Sequence, residues 1–191
     1  CVLLRMSEGG RVFLVRPLYA VFSRAYFDLA VEIQKSRSFE SLSGLLSTRL
    51  APIVGGHGGL LFVTNEAHVV EAMYGHGQLA EGARRRLQEL SERITGEHFS
   101  AKVDASKPRD LGLAVSDFGM HENFHESGVC GVVCGDGTMS DALFGLLSKS
   151  CGRTTMLLVC RQEGRFSPEE KGLFDTLLLS ARSVAALILA E

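Results

Sequence analysis

Apolar positions along the chain change period several times, and each change marks a different kind of element. Between Val2 and Arg16 they alternate loosely around Ser7-Glu8-Gly9-Gly10, which predicts a hairpin or strand-like lead-in. From Pro17 the period is helical: Leu18, Phe22, Ala25, Leu29 and Ile33 fall on one face, behind a proline that suits a first helical position. Ser38 is a good N-cap for a second helix through Phe39, Leu42, Leu45, Leu46 and Leu50, ending near Pro52. The run Gly55-Gly56-His57-Gly58-Gly59 then breaks the helix and launches a strand. Leu60–Val63 and Val69–Met73 flank Asn65-Glu66 and predict a β-hairpin.

Leu79, Ala83, Leu87, Leu90 and Ile94 predict another helix, and Phe99–Val103 a strand. Residues 105–127 carry Pro108, Gly112 and Gly119 and read mostly as loop, with a short strand at Leu113–Val115. Two readings compete for residues 139–150. Ala142–Ser148 can be a strand paired with Thr154–Arg161, or Met139, Leu143, Leu146 and Leu147 can form a short helix capped by Ser140. The final segment is the clearest: Ser167-Pro168-Glu169-Glu170 is a capping box with proline at the first helical position. Leu173, Leu177, Ala181, Val184 and Ile188 follow as one apolar stripe that should cover a sheet.

The order helix, helix, hairpin, helix, loop, hairpin, long helix resembles a GAF domain over residues 28–191, with residues 1–27 as an N-terminal lead-in. Most of the resemblance lies in Thr154–Arg161 followed by Gly164-Arg165-Phe166-Ser167-Pro168-Glu169-Glu170. Those residues are similar to the last strand of a GAF sheet, a short turn and the start of the final helix. The layout of Phe39–Tyr74 is similar to the family's helix, glycine turn and first hairpin. The resemblance implies an α+β fold: a central antiparallel sheet of about five or six strands, terminal helices on one face, loops and a helix on the other. It further implies a non-catalytic sensory or regulatory domain that binds a small molecule or dimerises within a signalling protein. Fold alone names no ligand. No Asn-Lys-x-Phe-Asp element of the cyclic-nucleotide-binding kind is present; Lys171-Gly172-Leu173-Phe174-Asp175 mimics it within a helix. Nor does a Cys-His pair suit covalent bilin attachment.

Composition narrows the partners. The 191 residues suffice for one domain with a substantial core; 46% are hydrophobic and 22% charged, an ordinary globular balance. A formal net charge of -2 argues against a general grip on nucleic acid or on acidic membranes. The one basic run, Arg84-Arg85-Arg86, falls in a helical pattern and suits a solvated face. Apolar stretches such as Val184–Ala190 are too short to span a bilayer, and no signal segment opens the chain, so a cytoplasmic domain is expected. The chain begins with Cys1 rather than Met, as a piece of a longer protein carrying an output domain would. Its five cysteines are scattered, which suits reduced thiols.

Candidate chemistry concentrates in the long loop. His121-Glu122-Asn123-Phe124-His125 matches H-E-x-x-H, in which a helix sets two His one turn apart on zinc and the Glu polarises a bound water. Gly119 before it and Glu126-Ser127-Gly128 after it deny it the long helix, and the third-ligand position falls on Gly131. A zinc metallohydrolase is therefore the alternative reading, with a polar loop preferred. Cys130 and Cys134 could join the histidines around a structural metal, but their spacing suits buried inert thiols better. Gly128-Val129-Cys130-Gly131 resembles free-methionine-sulfoxide reductases of GAF fold. Gly137–Asp141 lacks the nucleophilic Cys those enzymes need, and Cys151 falls in the hairpin turn.

No cofactor is specified by any of these residues. Asp117, Phe118, Met120, His121, Phe124 and His125, with Cys130, mix apolar and polar groups as small-molecule pockets do, and are the expected ligand-binding set. His68 and His76 beside the strands suit ordinary surface or core positions. In the last helix Leu179, Ser183, Ala186 and Ala190 form a second stripe with the 4-3-4 spacing of a helix–helix seam. A homodimer is the expected partner arrangement.

Overall fold

The computed structural model describes residues 18–67, 69–76, 80–84, 112–114 and 140–190. Helix α1 (Leu18–Lys35) runs continuously across position 27/28 and buries Leu29 and Ile33. Helix α2 (Phe39–Leu45) begins as the sequence predicts. The Ser38 hydroxyl accepts from the Ser41 N–H at 3.2 Å, and the Ser41 hydroxyl accepts from the Ser38 N–H at 3.4 Å. That box closes with Ser where Glu is usual.

The chain then passes through one π-helical turn, Leu46–Leu50, into a last helical turn, α3 (Ala51–Ile53). Pro52 has no N–H to donate and its ring crowds the preceding turn, so local unwinding suits it. Gly55 ends the helix at φ 72. Its N–H bonds Pro52 O at 3.1 Å and that of Gly56 bonds Ala51 O at 2.7 Å, a Schellman exit.

Among the described residues five antiparallel strands follow: β1 (Gly58–Thr64), β2 (Val70–Gly75), β3 (Gly112–Ala114), β4 (Asp141–Ser150) and β5 (Arg153–Arg161). Their spatial order is β2-β1-β5-β4-β3. Residues 141–150 are strand, so the short helix through Leu143, Leu146 and Leu147 does not form. Both faces of β4 are buried, from Asp141 to Ser148, so it carries a near-continuous apolar run. Such a run also offers helical spacing by accident. The β4–β5 turn is two residues, Cys151 at φ 51 and Gly152 at φ 75, the double positive φ of a type I′ hairpin. A bulge in β4 sets Leu147 and Ser148 together opposite Thr155.

Alternation splits the sheet into two faces. One presents Leu61, Val63, Ala72, Tyr74, Ala114, Leu143, Leu147, Leu157 and Val159, all in or packed against the main core. Over it lie α2 and the long helix α4 (Pro168–Ala190), and α1 packs against both of these helices. As predicted, Ser167 and Glu170 form the capping box of α4, at 2.8 and 3.2 Å. Its buried stripe is Phe174, Leu177, Leu178, Ala181, Val184 and Ala185, with Leu173 and Ile188 at the margins. By length and composition α4 as a whole, unlike its Val184–Ala190 tail, could cross a membrane. Here one side of it fills the core and another carries the exposed stripe described below.

Packing between α4 and β4 is unusually direct. A Cβ on Gly145 would lie 2.6 Å from both Leu178 methyls and 2.9 Å from Phe174 Cε1. With hydrogen there instead, the helix side chains rest on the strand backbone.

Candidate functional site

The second face of the sheet carries Leu60, Met73, Ala142, Phe144, Leu146, Met156, Leu158 and Cys160, all buried, with Phe62 half-buried. The three-helix layer lies on the opposite side. Residues 80–84 are helical, and Ala80 stands against Gly75 and Leu60 at one border of this face. Among the described residues no buried charge interrupts its centre; it is a wall of leucine, methionine, phenylalanine and a buried cysteine. Such a wall has the chemistry of the apolar lining of a small-molecule site.

At one end of the sheet a polar clasp locks β5 to α4. The Arg161 guanidinium pairs with the Glu170 carboxylate through both terminal nitrogens. It also donates to Gly55 O at 2.9 Å, Arg165 O at 2.8 Å and Val54 O at 3.5 Å, and lies 4.3 Å from the centre of the Phe166 ring. Burial tends to raise the Glu170 carboxyl, but hydrogen bonds from Arg161 and the Ser167 N–H outweigh it and hold the group below its usual range. Buried Asp141 completes the joint, accepting from Ala142 N at 3.0 Å and Phe166 N at 2.9 Å. Every group in the clasp is used in binding chain to chain.

On α4, Arg182 Nε donates to Leu146 O at 2.9 Å, beside the β4 bulge. Asp175 lies two turns earlier on the same side of the helix, and its Oδ1 is buried with no hydrogen-bond partner. Burial pushes the Asp175 carboxyl up while the Arg182 charge pulls it down; the same burial lowers Arg182.

The outer side of the helix layer is partly apolar. Leu179, Ser183, Ala186 and Ala190, the predicted seam, are all exposed, and Leu187 beside them is 66% exposed. The neighbouring α1, tied to α4 by Gln34 Nε2 donating to Ser180 O at 2.9 Å, exposes Phe27 (71%) and Val31 (44%). The sequence reading missed Phe27, Val31 and Leu187. Phe27 and Val31 sit one turn apart, away from the Leu29–Ile33 stripe, and that spacing was the available signal.

The expected ligand-binding residues Asp117, Phe118, Met120, His121, Phe124, His125 and Cys130, and the H-E-x-x-H match with them, lie outside the described residues. Among the described residues no group of three His, Cys, Asp or Glu side chains is placed to hold a metal ion. Cys151 is exposed at the hairpin tip and Cys160 is buried. His76 is exposed, its ring over Gly44 of α2, beside a polar cleft of about 250 Å³ that Glu40, Glu81 and Arg84 also line.

No family model matches the sequence, and no curated protein matches it. Solved structures do. The N-acylhomoserine lactone-dependent LuxR-family transcription factor CepR2 from Burkholderia cenocepacia superposes with a TM-score of 0.61 at 15% identity, over 90% of this chain and 99% of that one. The GAF domain of a phosphoenolpyruvate-protein phosphotransferase from Coxiella burnetii gives 0.58 at 16% identity, covering 91% and 98%. That of the Acinetobacter enzyme gives 0.56 at 13%, covering 92% and 97%. The fold is GAF-like. A sequence far from those of its structural neighbours reaches it.

Proposed function

We propose that this GAF-like chain is a non-catalytic regulatory domain whose sheet face opposite the terminal helices takes a small molecule with a substantial apolar part. The observation that carries the reading is the second face itself. Eight buried apolar side chains from four adjacent strands form it, while the helix layer is committed to the other side. CepR2, with a similar fold, is by its name dependent on an N-acylhomoserine lactone, a ligand with an acyl chain. The segment from Asp117 to Cys134 is the proposed cover of the site, with Asp117, His121 and His125 as its polar groups. Mass spectrometry of organic extracts of the purified protein, with NMR shift mapping of amphipathic compounds, tests this. Shifts confined to α1 and α4 would overturn the assignment of the face.

A second role rests on the exposed stripe of α4. We infer that two copies pair through Leu179, Ser183, Ala186 and Ala190, with Phe27 and Val31 of α1 widening the contact. Stripes of this size on a helix pair favour partners. Light scattering at high protein concentration should give a dimer mass and Leu179→Glu a monomer. A monomer in both sinks the seam. The alternative zinc hydrolase at His121, Glu122 and His125 is tested by metal analysis: near-equimolar zinc that is lost in His121→Ala would replace the present reading.

A further inference from the structure

The two faces of the sheet are nowhere closer in consequence than at Gly145–Leu146. Phe144 and Leu146 present their side chains to the second face. The backbone between them carries α4 directly: Phe174 and Leu178 rest on Gly145, and Arg182 holds the Leu146 carbonyl at 2.9 Å. No layer of side chains stands between the strand and the helix here. A shift of Leu146 moves the carbonyl that Arg182 grips.

The grip has an alternative. Asp175 keeps a buried carboxylate oxygen with no partner, on the side of α4 that also carries Arg182. The bulge follows immediately at Leu147–Ser148, where the strand ladder is already interrupted. Arg182 thus has one acceptor that it uses and, two turns back on the same side of the helix, a charged acceptor to which it makes no hydrogen bond.

We propose that Gly145–Leu146 is a junction that conveys occupancy of the second face to α4, with Arg182 exchanging the Leu146 carbonyl for the Asp175 carboxylate. Arg182 is a positioning residue in this scheme. It touches no ligand; it sets where α4 sits on β4, and hence how the exposed Leu179–Leu187 side of that helix is presented. The inference rests on the reading of the second face as a ligand site and adds the route by which that site is heard. Two discrete partners for one side chain give two positions, which is what a switch requires.

The test needs no ligand. Backbone hydrogen exchange is followed along α4 in Leu146→Ala, with Leu158→Ala, on the same face but in β5, as the control. Leu146→Ala should speed exchange between residues 178 and 187 about fivefold or more beyond the control. In an Asp175→Asn background the excess should vanish, although the contact between Arg182 and Leu146 is intact, because the charged alternative is gone. Arg182→Gln should abolish it as well, and Arg182→Lys, whose cation can serve either acceptor, should restore it. A purely structural role for Arg182 would leave the effect of Leu146→Ala unchanged in Asp175→Asn. That result, or equal effects of Leu146→Ala and Leu158→Ala on α4, overturns the junction. Should Leu146→Ala fail to fold, Leu146→Met carries the same comparison. Failure of every small molecule to bind the second face would sink the ligand reading and leave the exchange result standing, so the two failures are distinguishable.

Discussion

Leu157 and Leu158 are neighbours in β5 and both are fully buried, yet they belong to different halves of the molecule. Leu157 faces the helix side, in a core where α4 touches strand backbone. Leu158 faces the wall of Met73, Met156, Phe144 and Leu146 on the other side. The first face is interlocked and also held at its end by the Arg161 clasp. The second is chemically uniform and without a described helix layer. One sheet therefore has two differently built faces: one interlocks with the helices, and the other is the proposed ligand site.

The largest test of that contrast is truncation on either side. Leu157→Ala should cost about 3 kcal/mol in urea unfolding, because it opens a cavity in close-packed surroundings. Leu158→Ala should cost less, about 1–2 kcal/mol, since it enlarges a space the proposed site already contains. Equal costs would mean the second face is as tightly packed as the first, and no site lies there.

Gly145→Ala comes next. Its Cβ must displace Leu178 and Phe174, so about 2 kcal/mol of destabilisation is expected, with α4 loosened more than β5 by hydrogen exchange. A neutral effect would show that α4 rides less closely on β4 than the geometry says.

The clasp should reveal itself in acid. Glu170 is held below its ordinary value, so the stability it contributes is present above the unfolded-state value near 4.5 and is lost as pH falls through the folded one. Glu170→Gln should remove about 1 kcal/mol at pH 7 and flatten that part of the stability–pH curve. A curve with an unchanged slope would remove Glu170 from the joint.

The smallest effect lies off both faces. Cys151 occupies a left-handed position in a type I′ turn that Asn tolerates better, so Cys151→Asn should raise stability by about 0.5 kcal/mol. Thermal unfolding of the two proteins side by side measures it, and a lower midpoint would contradict the turn assignment.

What the sequence disclosed follows from how local each signal is. Ser38 and Ser167-Pro168-Glu169-Glu170 announced their helices because a cap is settled within four residues. The first hairpin was legible from its two apolar runs around Asn65-Glu66. Residues 141–150 were not, since burial on both faces erases alternation and leaves a run that also fits a helix. In α4 the triplet Leu177-Leu178-Leu179 supplies apolar residues in every direction, so its core stripe was centred slightly wrong and Phe174 was missed. The Arg161 clasp joins positions 55, 161 and 170, and no local pattern announces a contact over that separation. As for the candidate site, the sequence pointed to residues 117–134, outside the described set, while the wall opposite the helices became visible only once strand register sorted odd from even positions.

The π-helical turn has an angular meaning. Leu42, Leu46, Leu50 and Val54 are buried at successive intervals of four. In a regular α-helix each such step overshoots a full turn by about 40°, and three steps would swing the row about 120° away from the core. The wider turn, in which the Ala51 N–H reaches back to Leu46 O, absorbs that drift. It also fixes the azimuth at which Val54 and Gly55 leave the helix, and their carbonyls are two of the acceptors around Arg161. Removing one residue between 46 and 50 would rotate that exit by about 100°. The carbonyls would then face away from the guanidinium, so a single extra residue in one helix sets the phase on which the union of β5 with α4 depends.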